Sequence, residues 1–348
     1  MRIGLTYNLR KTSPSSPPAS ELPVDYYAEF DDETTVTAIA DALRKKGGHE
    51  VVLIEADDTA LAKLKESKLD AVFNIAEGEG GDCREAFIPA MLERLKIPYT
   101  GSGPLTLAIA LNKAMTNDVL RLHGIDTPHY QIFYSANDKV STQLDFPLMV
   151  KPLHEGSSKG IRDKSLVRNS KDLSQQISWV IENYHQPTIV EEYISGREFT
   201  IALLGNNPPK VLPIVEIDFE QLPEGASRIY SYEAKWIWDT PEKPIEMFIC
   251  PARLEPDIQA HIENTARSVF NVLGCRDICR MDGRLDDQRH LHILDVNPLP
   301  GMIPDPLAHS CLPEAAMTAG YSYDELINTI LYHALKRYGL PHLLQKTS

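Results

Sequence analysis

Short apolar runs alternate with longer amphipathic segments over the first 100 residues. The apolar runs have the length and β-branched content of buried strands, and they read RIGLTY, EVVLIE and LDAVFNIA. The segments between and after them repeat apolar residues at helical spacing, and they read ETTVTAIADALRKKGG, DDTALAKLKES and REAFIPAMLERLKI. A short strand, PYTG, closes the series. This alternation predicts a parallel sheet flanked by helices.

The pattern changes after residue 103, where strands and helices no longer alternate. A helix pair at 104–124 and a helix at 171–184 enclose two strands, YQIFYS and FPLMVKP. The later strands are longer, and they read TIVEEYI, EFTIALLGN, KVLPIVEIDF, RDICRMDGRL and HLHILDV. Helices are predicted between and after them at 255–273 and 323–338. We therefore predict an α/β protein with three domains, at residues 1–102, 103–186 and 187–348.

A long polar segment, residues 11–32, interrupts the alternation after the first strand. It reads KTSPSSPPASELPVDYYAEFDD, which is rich in proline and serine and then becomes acidic. Loops of this length are uncommon inside compact domains unless they are functional or disordered. The segment is therefore either flexible or a lid beside the strand ends, where open α/β sheets bind ligands.

The charge balance narrows the classes of partner. The 348 residues carry a formal net charge of −14, which argues against nucleic acid or an anionic membrane as a partner. An anionic small molecule stays compatible if local cations or a metal receive it. No apolar run approaches the roughly 20 residues needed to span a bilayer, and the N-terminus lacks the apolar stretch of a signal peptide. We therefore expect a cytoplasmic protein.

Five cysteines, an odd number without CxxC spacing, favour reduced thiols in a reducing cytoplasm. The alternative is a zinc site, because Cys275 and Cys279 precede His290 and His292 by a short distance in the sequence. These four residues lack the paired spacing that is typical of zinc ligands. We therefore favour thiols without a metal.

The first stretch that indicates chemistry is MVKPLHEGSSKGI, residues 149–161. A predicted strand delivers Lys151 to a loop that holds Ser157 and Ser158 between two glycines, with Lys159 beside them. Glycine lets the backbone approach a phosphate closely, and backbone N–H and ammonium groups stabilise its charge. The loop is a candidate phosphate site, and an ordinary polar turn is the alternative.

A second stretch, TIVEEYISGREF, carries three carboxylates near a strand end, Glu191, Glu192 and Glu198. Carboxylates suit the ribose of a nucleotide, although composition alone favours a solvated hairpin. A third stretch pairs RMDGR, residues 280–284, with LDVNP, residues 294–298. A hairpin of these two strands would bring their oxygen ligands together, and Mg²⁺ prefers such ligands. The residues concerned are Arg280, Asp282, Asp295 and Asn297.

These stretches together resemble the ATP-grasp superfamily, and most closely its D-alanine–D-alanine ligase family. The matching motifs read PYTGSG, LNKAMTN, VKPLHEGSSKGI, EEYISGREF, YSYEAKW, CPA, RMDGR and DVNPLPGM. The resemblance is strong from residue 98 to about residue 335 and looser over the first 95 residues. It implies an ATP-grasp fold with a Rossmann-like domain at 1–102, a central lobe at 103–186, and a C-terminal lobe with a metal site at 187–348. It also implies a homodimer.

The resemblance further implies that ATP and Mg²⁺ activate one amino acid as an acyl phosphate, which the amine of a second amino acid attacks. Two Mg²⁺ ions are expected, with Mn²⁺ as a substitute. By motif match, the residues that contact ATP are Lys113, Lys151, Glu155, Ser157, Ser158, Glu191, Tyr193, Ile194, Glu198 and Lys235. The implied metal ligands are Asp282, Asp295 and Asn297. The groups implied to act on the reacting atoms are Arg280, Ser157, the Gly301 N–H and Lys235.

Several positions depart from the family's pattern. Asp295 stands where the family usually has Glu, and Trp236 stands where it has an active-site Tyr. Pro306 aligns with a Ser that contacts the second amino acid. The family's HG-x-x-GEDG segment appears as AEGEGGDCRE, residues 76–85, which removes a His and introduces Arg84 and Glu85.

These departures leave the ATP and metal half of the predicted site intact while both amino-acid pockets are changed. The acid that orients the first amino acid's ammonium group stays open among Glu29, Asp31, Asp32 and Glu33. The candidates for other substrate contacts are Glu77, Arg84, Trp236 and Pro306. We therefore predict a carboxylate–amine ligase that acts on amino acids or small peptides.

Three alternatives remain at this point. The chain is a genuine D-alanine–D-alanine ligase of peptidoglycan precursor synthesis, a phosphotransferase that stops at the phosphorylated product, or a nucleotide-binding module without catalysis. Arg280 and the PLPG turn, which suit an acyl intermediate, count against the second alternative. Intact metal ligands count against the third.

Overall fold

The computed structural model describes residues 1–10, 23–238, 245–306 and 310–341. Within these ranges the strands form one parallel sheet and two antiparallel sheets, which confirms the predicted α/β class. In the same ranges no helix combines the length and the apolar character that crossing a membrane requires.

The first sheet is parallel and has the strand order β2–β1–β3. Its strands are β1 (Arg2–Tyr7), β2 (Glu50–Glu55) and β3 (Ala71–Asn74). The helices beside it are α1 (Glu33–Lys45), α2 (Ala60–Glu66) and α3 (Phe87–Leu95), with a 3₁₀ turn at Arg84–Ala86. Asp32 caps α1 by accepting the Thr35 N–H at 2.7 Å. The predicted alternation is therefore present, although PYTG forms an isolated bridge from Tyr99 to Val72 instead of a strand.

The central sheet is antiparallel and has the order β4–β7–β5–β6. Two helices lead into it, α4 (Pro104–Leu111) and α5 (Lys113–Leu122). Its elements are β4 (Tyr130–Phe133), β5 (Leu148–Pro152), β6 (Leu166–Val167), α6 (Ser170–Tyr184) and β7 (Thr188–Glu192). A 3₁₀ turn at Asp163–Ser165 precedes β6. The apolar face of α6 covers the sheet and forms a separate small core with it.

The third sheet is antiparallel and has the order β11–β10–β8–β12–β13, with β9 beside β8. Its strands are β8 (Glu198–Leu204), β9 (Lys210–Val211), β10 (Val215–Ile217), β11 (Phe248–Ile249), β12 (Ile278–Leu285) and β13 (Leu291–Asn297). The helices of this region are α7 (Pro256–Val272), α8 (Cys311–Thr318) and α9 (Tyr323–Arg337). Short helical turns lie at Phe219–Gln221 and Ala234–Trp238. KVLPIVEIDF is divided into two strands around Pro213, which has no N–H to donate to a ladder.

The largest hydrophobic core joins the two ends of the chain. The buried face of α9, with Ile327 and Leu331, packs with Ile39 and Leu43 of α1 and with Leu5 of β1. The first sheet and the third sheet therefore share one core, whereas the central sheet has its own.

Candidate active site

The predicted hairpin is formed by β12 and β13. Asp282 pairs with Asp295 and Arg280 pairs with Asn297 across these strands. Residues directly opposite each other in an antiparallel pair point to the same face, so the four polar side chains share one face. Arg280 lies 3.1 Å from the Asp282 carboxylate, which also accepts the hydroxyl of Thr200 at 2.7 Å.

Two buried lysines lie opposite this hairpin. Asn112 caps the start of α5 and so places Lys113 at its first position, where its ammonium lies 2.8 Å from Asp295. Lys151 of β5 lies 2.6 Å from Glu191 of β7. Burial by itself raises the pKa of Asp295, but the Lys113 ammonium lowers it below its usual value. Asp295 is therefore held as an anion by a cation that a phosphate would also attract.

A cleft of about 860 Å³, here called the large cleft, is lined by residues of the central and third sheets. Apolar side chains form part of its wall, including Met149, Ile161 and Leu294. Every residue that the sequence assigned to ATP lines it: Lys113, Lys151, Glu155, Ser157, Ser158, Glu191, Tyr193, Ile194, Glu198 and Lys235. Arg280, Asp282 and Asp295 line the same cleft. A cleft with an apolar wall and several paired carboxylates and cations can hold a nucleotide.

Sequence reasoning missed Arg284, which fixes Glu198 inside the large cleft. Its Nε donates to Glu198 at 2.6 Å, and its NH1 donates to the Ile194 carbonyl at 2.9 Å. The guanidinium carbon also lies 4.9 Å from the centre of the Tyr193 ring. Arg284 stands in RMDGR, but its partner Glu198 is 86 positions away, so the motif gives no sign of the pair.

The Gly/Ser loop after β5 has an unusual backbone. Ser157 and Ser158 have φ values of 47° and 59°, in the left-handed region that few non-glycine residues adopt. The described end of the long polar segment, residues 23–32, holds this loop from outside. Asp25 accepts the Gly160 N–H at 2.9 Å and Glu29 accepts the Gly156 N–H at 2.6 Å. This part is therefore anchored beside the loop, while residues 11–22 lie outside the described ranges.

A second cleft of about 810 Å³ adjoins the large cleft at Ser157, Lys235 and Arg280. Burial and the nearby Arg280 guanidinium lower the pKa of Lys235 to about 8. Arg280 itself stays charged because Asp282 outweighs the effect of burial on its pKa. The Nε of Arg280 is buried and has no hydrogen-bond partner among the described residues. The second cleft therefore presents cationic donors at its junction with the large cleft.

The second cleft also contains Gly301 and Ser310. Ser310 precedes α8, and its hydroxyl donates to the Gly301 carbonyl at 3.3 Å. Pro306, which the sequence pointed to here, is exposed and lies outside the lining of this cleft. The side chain of Trp236 lies outside the described part of the structure.

The four N-terminal acids occupy different places. Glu29, Asp31 and Asp32 line the second cleft, whereas Glu33 is exposed on α1 and does not. Glu29 is bound by Arg84 at 2.9 Å and by Lys159. Burial and the neighbouring Asp32 raise the pKa of Asp31 to about 7.

A third cleft of about 380 Å³, here called the acidic cleft, is lined by Glu77 and Glu85. It shares Lys113, Ser157 and Asp295 with the large cleft. Burial, and next the Glu85 carboxyl, raise the pKa of Glu77 well above its usual range. Arg84, a predicted substrate contact, does not line this cleft itself but pairs with Glu29 and Glu155, which do.

The donor set on the β12–β13 hairpin fits a magnesium ion. Two carboxylates and one carboxamide lie on one face beside a cleft with room for phosphates, and Mg²⁺ prefers such oxygen ligands. The zinc alternative is not assembled, because His292 instead contacts Asp286 at 3.1 Å while Cys275 and Cys279 are buried. No group of three or more His, Cys, Asp or Glu side chains in the described ranges is arranged to hold a metal.

Comparison with known proteins gives consistent results. A family model for the D-ala D-ala ligase C-terminus matches residues 119–332. The chain is 35% identical over 311 residues to a D-alanine–D-alanine ligase of Carboxydothermus hydrogenoformans, with 87% of this chain and 93% of that protein covered. It is 37% identical over 300 residues to y4sG, an uncharacterised protein of Sinorhizobium fredii, with 84% of each covered.

A solved structure shares the fold. The D-alanine–D-alanine ligase of Bacillus anthracis, in its complex with ATP, matches with a TM-score of 0.71 at 24% identity. The match covers 97% of this chain and 99% of that chain. The predicted ATP-grasp fold is therefore confirmed.

Proposed function

We propose substrates and residue roles for this chain, which belongs to the D-alanine–D-alanine ligase family of ADP-forming ATP-grasp ligases. It joins the carboxylate of one amino acid to the amine of another, with ATP and Mg²⁺. The observation that carries the proposal is the shared face of Arg280, Asp282, Asp295 and Asn297, opposite Lys113 and the Gly/Ser loop.

The large cleft holds ATP. Lys113, Lys151 and Lys235 receive its phosphates, with Glu155, Ser157 and Ser158 on the Gly/Ser loop beside them. Glu191, Tyr193, Ile194 and Glu198 frame the base and ribose, and Arg284 fixes Glu198. Asp282, Asp295 and Asn297 would hold two Mg²⁺ ions, with Mn²⁺ as a substitute, and a bound ion supplies charge neutralisation at the phosphates. When ATP and the metal are bound, the Lys113 ammonium leaves its ion pair with Asp295 and pairs with a phosphate instead.

The chemistry takes place where the large and second clefts meet. A carboxylate oxygen of the first amino acid attacks the γ-phosphorus of ATP, and ADP leaves. The amine of the second amino acid attacks the resulting acyl carbon, the bond to phosphate breaks, and the amine loses a proton. Arg280 and the Gly301 N–H stabilise the oxyanion, and Ser157 positions the reacting amino acid. The unpartnered Nε of Arg280 supports this role.

The proposed substrate pair differs from two D-alanines in at least one member. The support concerns the amino acid that is activated, the donor. Glu29, a candidate for binding its ammonium group, already forms ion pairs with Arg84 and Lys159. A second candidate is a D-alanine–D-alanine ligase, the name carried by relatives 31–35% identical. Ser310 favours it, because a hydroxyl is present in the second cleft where Pro306 had indicated none.

The test is ADP release with Mg²⁺ and a panel of D- and L-amino acids, with products identified by mass spectrometry. We expect an amide product that contains at least one amino acid other than D-alanine. Rapid D-alanyl-D-alanine formation from D-alanine alone would establish the second candidate. ADP release with a phosphorylated product and no amide would overturn both.

Three further expectations are carried over from the sequence and its family resemblance. We propose that the chain is a homodimer, that it acts in the cytoplasm, and that the domain boundaries at 1–102, 103–186 and 187–348 hold. Light scattering tests the dimer, and limited proteolysis tests the boundaries.

A further inference from the structure

Three carboxylates of the large cleft are each paired with a cation. Lys113 lies 2.8 Å from Asp295 and Lys151 lies 2.6 Å from Glu191. Arg284 donates to Glu198 at 2.6 Å. Buried charge is stabilised only when it is paired or hydrogen-bonded, and these residues follow that rule.

Glu29 is also fully paired. Its carboxylate, which is 4% exposed, lies 2.9 Å from Arg84 and 3.2 Å from Lys159 and accepts the Gly156 N–H at 2.6 Å. Glu155 balances the second cation of this cluster. Burial opposes ionisation, but Lys159 and Arg84 lower the pKa of Glu29 to about 2. A substrate ammonium group would have to displace two internal cations to bind Glu29.

Glu77 and Glu85 differ from these paired carboxylates. Glu85 is 8% exposed, and neither residue has a hydrogen bond or an ion pair within the described ranges. Burial raises the pKa of Glu85 to about 8 despite the charge of Arg84. Lys113 also lines this cavity, but neither carboxyl has a direct ion-pair partner in the described ranges. Two such carboxyls are costly to ionise together, and a cation between them removes that cost.

The position of the acidic cleft identifies which substrate it serves. It shares Lys113 and Asp295, at the proposed phosphate and metal end, with the large cleft but not with the second cleft. The amino acid that is phosphorylated must place its carboxylate at that end. Gly301 and Ser310, in the second cleft, lie elsewhere and serve the amine that attacks.

We propose that Glu77 and Glu85 bind the ammonium group of the amino acid whose carboxylate is activated. This inference rests on the proposed function and assigns the chemical class of the donor: a carboxylic acid that carries a primary ammonium group. An ammonium group has three N–H donors and can bridge both carboxylates. Glu29 then serves the Gly/Ser loop through Gly156 instead of the substrate.

The test isolates the donor half-reaction by using hydroxylamine as the acceptor, so that each activated donor is trapped as a hydroxamate. Donors with an ammonium group, such as D-alanine and β-alanine, are compared with D-lactate and propionate. We expect wild-type kcat/KM to be about 10- to 100-fold higher for the ammonium-bearing donors, the range given by hydrogen bonds to charged groups.

The variants Glu77→Gln and Glu85→Gln keep the side-chain shape and remove one charge each. We expect each to lower that preference at least tenfold through the KM of the donor, with the KM of ATP and the rates with D-lactate unchanged. Asp82→Asn is the matched control, because Asp82 belongs to the same segment but its side chain is 82% exposed. Thermal melting verifies that all three variants fold.

The outcomes separate this inference from the proposed function. If the wild type is active with amino acids and both Gln variants keep the full preference for ammonium-bearing donors, the inference is overturned but the proposed function is not. Loss of the preference in Asp31→Asn instead overturns it as well, because Asp31 lines the second cleft together with Arg280 and no ion pair of its carboxyl is present in the described ranges. A wild type that prefers propionate overturns it without any variant. Absence of hydroxamate with every donor overturns the proposed function and the inference together.

Discussion

The large cleft and the acidic cleft share Ser157 and Asp295 but treat charge in opposite ways. In the large cleft, lysines and arginines are already paired with carboxylates, as Lys113 is with Asp295. In the acidic cleft, Glu77 and Glu85 have no such partner among the described residues. The comparison teaches that paired charges suit a ligand that exchanges partners, such as a phosphate, whereas unpaired carboxyls suit a ligand that brings its own cation.

The strongest way to break the comparison is Asp295→Ala. The change removes a proposed metal ligand and leaves Lys113 without its partner, so we expect kcat to fall by about 10³-fold or more. ADP release measures it, and circular dichroism should show an unchanged fold. A kcat within tenfold of wild type would remove Asp295 from the metal site. Asp286→Asn, a change in a half-exposed carboxylate near β13, is the control.

The variant Arg284→Lys tests the part of the large cleft that is proposed to bind the nucleotide. Lysine keeps the charge but cannot make the three contacts to Glu198, Ile194 and Arg228 that the guanidinium makes. We expect the KM of ATP to rise about 10-fold with kcat little changed, as the loss of charged hydrogen bonds implies. An unchanged KM would mean that Glu198 does not contact the nucleotide.

The pH dependence of ATP binding tests Lys235. Its pKa of about 8 means that the ammonium is charged below that pH and neutral above it. We therefore expect the KM of ATP in the wild type to increase as pH rises from 7 to 9. Lys235→Arg should flatten this increase, because arginine stays charged throughout the range. A KM that is equally pH-dependent in both enzymes would assign the titration to another group.

The smallest expected effect concerns the Gly/Ser loop, whose Ser157 lines both the large cleft and the second cleft. Tyr184 donates its hydroxyl to Asp25, which also holds the Gly160 N–H. Tyr184→Phe should lower the free energy of unfolding by about 1–3 kcal/mol, since a buried acceptor loses a hydrogen bond. Urea denaturation measures it. Tyr338→Phe is the control, because Tyr338 lies in the C-terminal region next to α9; equal losses in the two variants would leave Asp25 without a special role.

The sequence predicted the ATP side of the site better than the amino-acid side, for a physical reason. The hairpin with Asp282 and Asp295 is formed by strands that are neighbours in the chain, and each proposed ATP contact sits in a short contiguous motif. The roles of these residues in binding metal and ATP stay predictions, but the structure does bring the residues close together. The parallel arrangement of the first sheet was predicted equally directly from the alternation of strands and helices.

The amino-acid side depends on contacts between distant segments. Arg84 and Glu29 are 55 positions apart and Lys159 and Glu29 are 130 apart, so no local pattern shows that Glu29 is already paired. Ser310 was missed because the motif match pointed to Pro306 instead. Its one signal was the helical run CLPEAA after it, which marks it as an N-cap residue.

The shared core of α1, β1 and α9 has a consequence for synthesis. The ribosome delivers β1 and α1 first, but the apolar surface of α1 around Ile39 and Leu43 is covered by α9, near residue 330. The first sheet therefore cannot complete its core until α9 has been synthesised. The central sheet, whose core is its own, can fold while the C-terminal region is still being made. On the ribosome, the first sheet therefore becomes stable only after the central sheet that follows it in the chain.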